Sequence, residues 1–187
     1  KDSLAPIESR VEDLLRRMAL HEKTLQLQNK PVGRIDEIES IFQGQSYGCT
    51  HEMGKTAEEC AGIYNELQKY MLTKTRLGIP ILTAVEGIQG ILQNNSTLFP
   101  HSIAQGSTFN PELIERMTDA AGKEAAAMGI HQVLSPVFDI ARELRWGRVE
   151  ETYGEDPFLI SEMGIGFVKG YPVSYTHLRA HETDSYL

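Results

Sequence analysis

The stretch RWGRVEETYGEDP, residues 145–157, concentrates side chains that can do chemistry. It holds two arginines, the single tryptophan, a tyrosine and four carboxylates. Paired carboxylates can act as general acid and general base, but the acid must keep its proton near neutral pH. The neighbouring arginines favour ionised carboxylates, and residues so close in one loop seldom face each other across a ligand. We therefore do not expect this segment to supply an acid/base pair.

Glu86 and Arg148 stand where a parallel α/β protein binds its ligand. Glu86 directly follows a short apolar run, and Arg148 follows the loop after a second such run. Barrels of parallel strands bind ligands at the carboxyl ends of those strands. A carboxylate that accepts from hydroxyls and a guanidinium that donates to them form a charge-assisted clamp. The alternatives are a solvated carboxylate at Glu86 and a structural ion pair of Arg148 with Glu150 or Glu151.

The cysteines and histidines predict no metal site. Cys49 and Cys60, with His51 between them, match no metal or redox spacing, and we expect ordinary buried or half-buried thiols. His177 and His181 stand at i,i+4, which can place two ligands on one helix face. Neither a third ligand nor a helical pattern accompanies them, so we expect no metal and no cofactor.

Composition narrows the classes of partner. The 187 residues are 41% hydrophobic and 24% charged, as in soluble globular proteins, and the net charge is −8. This charge argues against a nucleic-acid or anionic-membrane surface. No apolar run approaches the roughly 20 residues of a membrane helix. The chain opens on Lys1 without a signal-like start, so we take it as processed or cut, and we favour a periplasmic or secreted location over a cytoplasmic one.

The elements that must position these residues follow two periodicities. Two short apolar runs, 81–85 and 130–135, predict buried strands of a parallel sheet. Asn110 and Asp156 are each followed by proline, which predicts two capped helices. For the first of these, the residues expected to line the buried face are Leu113, Met117, Ala121, Ala125 and Met128. Further helices are predicted over about 7–18, near 21–23 and over 57–75, and mostly loop with one short strand over 31–56.

Strands that alternate with helices predict a parallel α/β architecture. A complete (β/α)₈ barrel takes about 250 residues, and only two or three βα units are visible here. We therefore predict an incomplete (β/α)₈ TIM-like barrel that is truncated at its C-terminal side.

Several blocks together resemble glycoside hydrolase family 3, the family of many β-glucosidases and β-xylosidases. The opening IESRVEDLLRRMALHEKTLQL is similar to that family's first helices, and RLGIPILTAVEGIQG is similar to its strand and loop that end in an acidic residue and a His-Gly pair. TLFPHSIAQGSTFNPELIERM, AMGIHQVLSPVFDIARELRWGRVEETYGEDPFL and EMGIGFVKG resemble the following segments in the same order. The resemblance covers about residues 6–171.

The resemblance implies a barrel-type domain that binds the terminal, non-reducing sugar of a glycoside or oligosaccharide. It implies retaining hydrolysis, in which an aspartate attacks the anomeric carbon and a glutamate serves as acid and base. By the same resemblance, the aspartate belongs to a later strand and the glutamate to a following domain. We therefore expect no catalytic residue within this chain.

For the sugar site, the resemblance points to Glu86 and Arg148 as substrate-binding residues that hydrogen-bond hydroxyls of the terminal sugar. Gln89 departs from the family pattern, because it stands where a histidine is usual. It can donate and accept a hydrogen bond but cannot carry charge. Trp146 is expected to pack beneath the loop and to fix the angle of Arg148.

Residues 1–171 are thus predicted to be the N-terminal portion of such a domain. Residues 172–187 lack either periodicity and resemble a translated sequencing adapter, so we expect a disordered, non-family tail. The expected activity is hydrolysis of terminal β-D-glycosyl residues, with the fragment itself inactive. A β-xylosidase of the same family and a non-catalytic sugar-binding module are alternatives. A lyase or aldolase would want a lysine on a strand, and no strand candidate holds one.

Overall fold

Helices outnumber strands in the computed structural model, which describes residues 4–174. The strands of this part of the chain are β1 (Cys49–His51), β2 (Leu82–Val85) and β3 (Gln132–Val133). Two 3₁₀ turns cover Ile35–Glu37 and Val149–Glu151. The helices are α1 (Ile7–Arg17), α2 (Leu20–Leu25), α3 (Ile38–Phe42), α4 (Ala57–Lys74), α5 (Ser102–Gly106), α6 (Pro111–Ala127) and α7 (Pro157–Ser174).

The chain divides into two compact units. The first comprises the residues up to 51 together with 63–82, and the second comprises 52–62 together with the residues from 83 onwards. Helix α4 therefore contributes residues to both units, and β2 begins at the last residue of the first unit.

The first unit is built around an aromatic cluster. The Phe42 ring meets Tyr47 edge-on, with ring centroids 5.7 Å apart, and lies 6.3 Å from Tyr70. The Gly44 N–H donates to the Tyr70 hydroxyl at 2.7 Å, so the polar end of this buried ring is satisfied. The Leu82 N–H donates to the carbonyl of Gly48, at the entrance to β1, at 3.0 Å. The other buried hydrophobic residues of this unit are Leu25, Val32, Ile38, Ile63, Tyr64, Leu67, Met71 and Ile81.

The region 31–56 departs in part from expectation. The predicted short strand is confirmed as β1, but α3 and the 3₁₀ turn before it were predicted as loop. Helix α3 has five residues and no side-chain cap, and its C-cap residue Gln43 adopts φ +49°. Burial of Ile38 and Phe42 stabilises this turn, and tertiary burial of this kind leaves no periodic signal in so short a segment.

The second unit holds the parallel pair of strands β2 and β3. Ala84 pairs with Gln132 and Val85 pairs with Val133. The prediction of a buried strand over 81–85 is confirmed for Ala84 and Val85, both fully buried. The prediction for 130–135 is wrong in extent and burial, because only two residues pair and Leu134 is 40% exposed. Within the described residues β3 lies at the sheet edge and lacks the second neighbour that would cover it.

Helices α6 and α7 pack closely in the second unit. Both predicted caps are confirmed: Asn110 Oδ1 accepts from the Leu113 N–H at 3.0 Å, and Asp156 Oδ1 accepts from the Leu159 N–H at 2.8 Å. Glycine allows the contact, since a Cβ at Gly170 would lie 2.3 Å from the Glu115 carbonyl oxygen of α6. The predicted buried face of α6 is confirmed for Ala121, Ala125 and Met128, whereas Leu113 and Met117 are only half-buried. The buried residues Ile114 and Thr118 take their place.

The thiols behave as predicted, since Cys49 is half-buried and Cys60 is buried, and burial raises the pKa of Cys60 to about 11. Among residues 4–174, no three His, Cys, Asp or Glu side chains are grouped to hold a metal ion. No helix in that range is long and apolar enough to cross a membrane. Of the predicted tail, residues 172–174 form the end of α7, and the remainder, with His177 and His181, lies outside the described residues.

Candidate functional site

Glu86 is held in place by the backbone on either side of it. It is half-buried and directly follows β2. Its carbonyl oxygen accepts from the Leu92 N–H at 3.1 Å, and the N–H of the next residue, Gly87, donates to Ser135 Oγ at 3.1 Å. A Cβ at Gly87 would lie 2.2 Å from Val133 Cγ1, so only glycine fits this approach. The Glu86 side chain therefore starts from a fixed backbone.

The turn that follows is also held by its backbone. The carbonyl of Gln89 accepts from the Phe99 N–H at 2.9 Å. The buried Gln105 amide donates to the carbonyl of Ile88 at 3.3 Å and to that of Pro100 at 2.7 Å. These bonds do not involve the Gln89 side chain. The loop therefore keeps its shape by contacts that do not depend on whether position 89 is histidine or glutamine.

Arg148 is oriented by a two-point contact with Glu151. Its Nε donates to Glu151 Oε1 at 2.8 Å, and its Nη2 donates to Oε2 at 2.5 Å. The 3₁₀ turn Val149–Glu151 starts directly after Arg148 and brings the carboxylate back to it. The Arg148 side chain is 57% exposed and that of Glu151 only 18%. This is the ion pair that the sequence left open as an alternative for Arg148.

Both predicted site residues lie in one electrostatic environment. The pKa of Arg148 is raised above its ordinary value, first by the hydrogen bonds with Glu151 and further by the attraction of Glu86 and Asp139. Glu86 and Arg148, 62 positions apart by their numbers, are therefore close enough to interact. Glu86 can accept hydrogen bonds and Arg148 can donate them. Asp139 was missed by sequence reasoning, since an isolated aspartate in a loop gives no signal.

The turn that carries Glu151 rests on buried chain. Thr152 and Tyr153 are 0% and 1% exposed, and the Thr152 hydroxyl donates to the Val149 carbonyl at 2.8 Å. Helix α5 packs against this turn, where a Cβ at Gly106 would lie 2.5 Å from the Tyr153 carbonyl oxygen. The Glu151 carboxylate is thereby fixed from behind.

The acidic residues around the segment are suited to hold their partners and poorly suited to donate protons. The hydrogen bonds from Arg148 lower the pKa of Glu151 below its usual range. Hydrogen bonds from the Arg145 side chain and backbone lower the pKa of Glu143 to about 2. Asp156 caps α7. A general acid needs the opposite shift, so these environments favour binding and positioning.

Trp146 is half-buried, and its backbone N–H donates to the Glu143 carbonyl at 3.1 Å. The residue that contacts the Arg148 guanidinium in the structure is Glu151. That Trp146 braces Arg148 remains a prediction. Ser135 and Gln105, which support the loop after β2, gave no sequence signal because their partners are backbone atoms distant along the chain.

Comparison with known proteins shows the family to which the chain belongs. Residues 19–175 match the model of the glycosyl hydrolase family 3 N terminal domain. A beta-xylosidase of Formosa agariphila is 43% identical over 101 residues, which cover 51% of this chain and 14% of that protein. A periplasmic beta-glucosidase of Salmonella typhimurium is 32% identical over 159 residues, covering 85% of this chain and 20% of that protein.

A solved structure agrees with the sequence relatives. The beta-glucosidase of Listeria innocua in complex with isofagomine superimposes with a TM-score of 0.71 at 30% identity, and the match covers 89% of this chain and 23% of that one. The chain thus spans between 14% and 23% of the length of these three proteins.

The α/β fold is that of a glycoside hydrolase domain. More narrowly, the chain belongs to glycosyl hydrolase family 3.

Proposed function

We propose that this chain is part of a retaining β-glycosidase that hydrolyses terminal, non-reducing β-D-glycosyl residues. Within it, Glu86 accepts hydrogen bonds from hydroxyls of the terminal sugar and Arg148 donates to them. The observation that carries the proposal is the position of Glu86, half-buried and directly after β2, where its charge attracts Arg148. Barrels of parallel strands bind their substrates at that end.

The chemistry of the pair suits a neutral polyol. An ionised carboxylate is an acceptor only and a guanidinium is a donor only, so adjacent hydroxyls can satisfy both. Neutral hydroxyls also leave the ion pair of Arg148 with Glu151 intact. Residues 1–171 would then be the N-terminal portion of a (β/α)₈-type domain, followed by a tail of other origin.

A β-xylosidase is the alternative within the family. It is favoured by the beta-xylosidase relative, which has the higher identity of the two curated proteins compared. A periplasmic or secreted location is favoured by the periplasmic beta-glucosidase relative. No cofactor is needed, since two carboxyl groups carry out retaining hydrolysis.

We further propose that the 187-residue chain binds a sugar without hydrolysing it. In the segment 143–156, Glu143 and Glu151 are held ionised by arginine and Asp156 is engaged as a helix cap. The nucleophilic aspartate and the acid/base glutamate would lie in sequence beyond this chain. If the chain is instead a non-catalytic sugar-binding module, the same binding is expected. The full-length protein would then lack the nucleophilic aspartate.

Binding is tested by titrating the purified, ¹⁵N-labelled chain with glucose and with xylose and following amide shifts by NMR. We expect saturable shifts near Glu86 and Arg148, and a Glu86→Gln variant that binds at least about tenfold more weakly, as for loss of a charge-assisted hydrogen bond. Glu150→Gln is the matched control, because Glu150 is exposed and next to the site. Equal affinity of both variants would remove Glu86 from the site.

Inactivity is tested with aryl β-glucosides and aryl β-xylosides. We expect no release of the phenol by the purified chain. Turnover that a carboxylate-to-amide change within 150–156 abolishes would show that the acid/base assignment is wrong. The relative rates of the two substrates with the full-length protein would decide between glucosidase and xylosidase.

A further inference from the structure

We infer that Glu151 is a positioning residue of the proposed sugar site. It binds the Nε and Nη2 edge of the Arg148 guanidinium, so that the NH₂ group of Nη1 is presented to a sugar hydroxyl. This inference rests on the proposed function and deepens it. It assigns to Glu151 a role that acts through Arg148, without direct contact with the sugar.

The donor count of arginine leads to this assignment. A guanidinium has five N–H donors in a fixed plane. The bonds from Nε and Nη2 to the two oxygens of Glu151 use two of them and fix that plane. Both donors on Nη1 and one on Nη2 remain, and more than half of the Arg148 side chain surface is exposed. Hydroxyls that approach Arg148 therefore meet the Nη1 side first.

Glu151 can hold Arg148 in one orientation because Glu151 is itself held in place. Only 18% of its side chain is exposed, and the next two residues, Thr152 and Tyr153, are buried. A mostly buried carboxylate on a fixed backbone turn has few accessible rotamers. The planar two-point contact with it restricts the orientation of the arginine in turn. A long side chain that is fixed before binding loses less conformational entropy when the sugar arrives.

The surrounding charges show what Glu151 prevents. Arg148 is also attracted by Glu86 and Asp139. Without the charge of Glu151, the guanidinium is free to turn and pair directly with one of these carboxylates. If Arg148 paired with Glu86, the donor and the acceptor proposed to bind the sugar would bind each other instead. Loss of Glu151 should therefore weaken sugar binding although Glu151 itself does not touch the sugar.

The test is a Glu151→Gln variant of the full 187-residue chain, titrated with glucose and xylose by NMR. We expect affinity to fall roughly tenfold, the scale of one charge-assisted hydrogen bond, with the melting temperature close to that of the unmodified chain. The Arg148 Nε–H resonance, assigned by its loss in Arg148→Lys, should move in Glu151→Gln, which a purely structural role elsewhere would not cause. Glu143→Gln is the matched control, because it breaks the equivalent contact at Arg145.

The outcomes separate the inference from the function on which it rests. Wild-type affinity in Glu151→Gln, together with loss of binding in Arg148→Lys, would overturn the positioning role and leave the sugar site standing. Wild-type affinity in Arg148→Lys would overturn the sugar site itself. If Glu151→Gln does not fold, Glu151→Asp replaces it. This variant keeps the charge but shortens the reach, and affinity equal to the unmodified chain would contradict the inference.

Discussion

Two arginine–glutamate pairs lie within the nine residues 143–151 and have the same two-point geometry. Arg145 donates from Nε and Nη2 to Glu143 at 2.8 and 2.6 Å, and Arg148 donates from the same atoms to Glu151 at 2.8 and 2.5 Å. Their surroundings differ. The side chains of the first pair are 90% and 59% exposed, and those of the second are 57% and 18% exposed.

The difference shows why contact geometry alone does not define a site. The pKa of Arg145 is raised by the hydrogen bonds with Glu143, and no further carboxylate contributes. Arg148 has the same direct partner and is also attracted by Glu86 and Asp139. Exposed ion pairs typically contribute about 0–1 kcal/mol to stability. The Arg145 pair is of this kind, whereas the Arg148 pair is fixed on buried chain, and its arginine is attracted by Glu86, which directly follows β2.

The largest effect is expected from Gly106→Ala, which adds a methyl group where α5 packs against the turn that carries Glu151. A Cβ in Gly106→Ala would lie 2.5 Å from the Tyr153 carbonyl oxygen. Backbone must shift to admit it, which costs about 1–3 kcal/mol and moves the turn that carries Glu151. Urea unfolding should show lower stability, and sugar affinity should fall. Gly147→Ala is the control, because a Cβ there meets nothing within 4 Å. Equal stability of the two variants would show that the turn is not fixed from behind.

A smaller effect is expected from Ser135→Ala. It removes the acceptor of the Gly87 N–H, a bond of 3.1 Å beside Glu86. Loss of such a bond typically costs about 1 kcal/mol, and the loosened Glu86 should lower sugar affinity several-fold. Because Glu86 attracts Arg148 and is not among the groups that raise the pKa of Arg145, the Nε–H resonance of Arg148 should shift and that of Arg145 should not. A shift of both resonances would indicate a general loosening of the protein.

The Glu143→Gln variant should have almost no effect. It removes an exposed pair that solvent screens. We expect an unchanged urea midpoint and unchanged sugar affinity. A clear loss of either would mean that the two pairs do not differ in the way their exposure indicates.

The smallest effect concerns pH. Arg145 holds the pKa of Glu143 at about 2, below its ordinary value of 4.5. A depressed carboxylate pKa stabilises the folded state above the ordinary pKa, and this contribution is lost as pH falls from about 4.5 to 2. Arg148 shifts Glu151 in the same direction. Carboxyl ¹³C titration should therefore show Glu143 ionised at pH 4, and a midpoint near 4.5 would contradict the contact.

Local signals predicted the parts of the fold that depend on local chemistry. Asn110 with Pro111 gave the start of α6, and the apolar run before Glu86 gave β2. Helix α3 was missed because two buried residues, Ile38 and Phe42, stabilise it without caps. The extent of β3 was overestimated because hydrophobic composition does not reveal which neighbours a strand has.

The site was predictable only in part for the same reason. Glu86 and Arg148 stay predictions, although the structure brings them into one electrostatic environment. An ion pair of Arg148 with Glu150 or Glu151 was left open as an alternative, and the structure shows the pair with Glu151. Ser135, Asp139 and the space behind Gly106 depend on contacts between distant parts of the sequence, and no spacing rule reveals them.

The central claim is that Arg148 binds a sugar and Arg145 does not. It is tested most directly by titrating Arg148→Lys and Arg145→Lys with glucose and xylose under the same conditions. Lysine keeps the charge and loses the planar fork, so the comparison isolates geometry. We predict affinity at least about tenfold weaker for Arg148→Lys and unchanged affinity for Arg145→Lys. Equal affinities in the two variants would contradict the account.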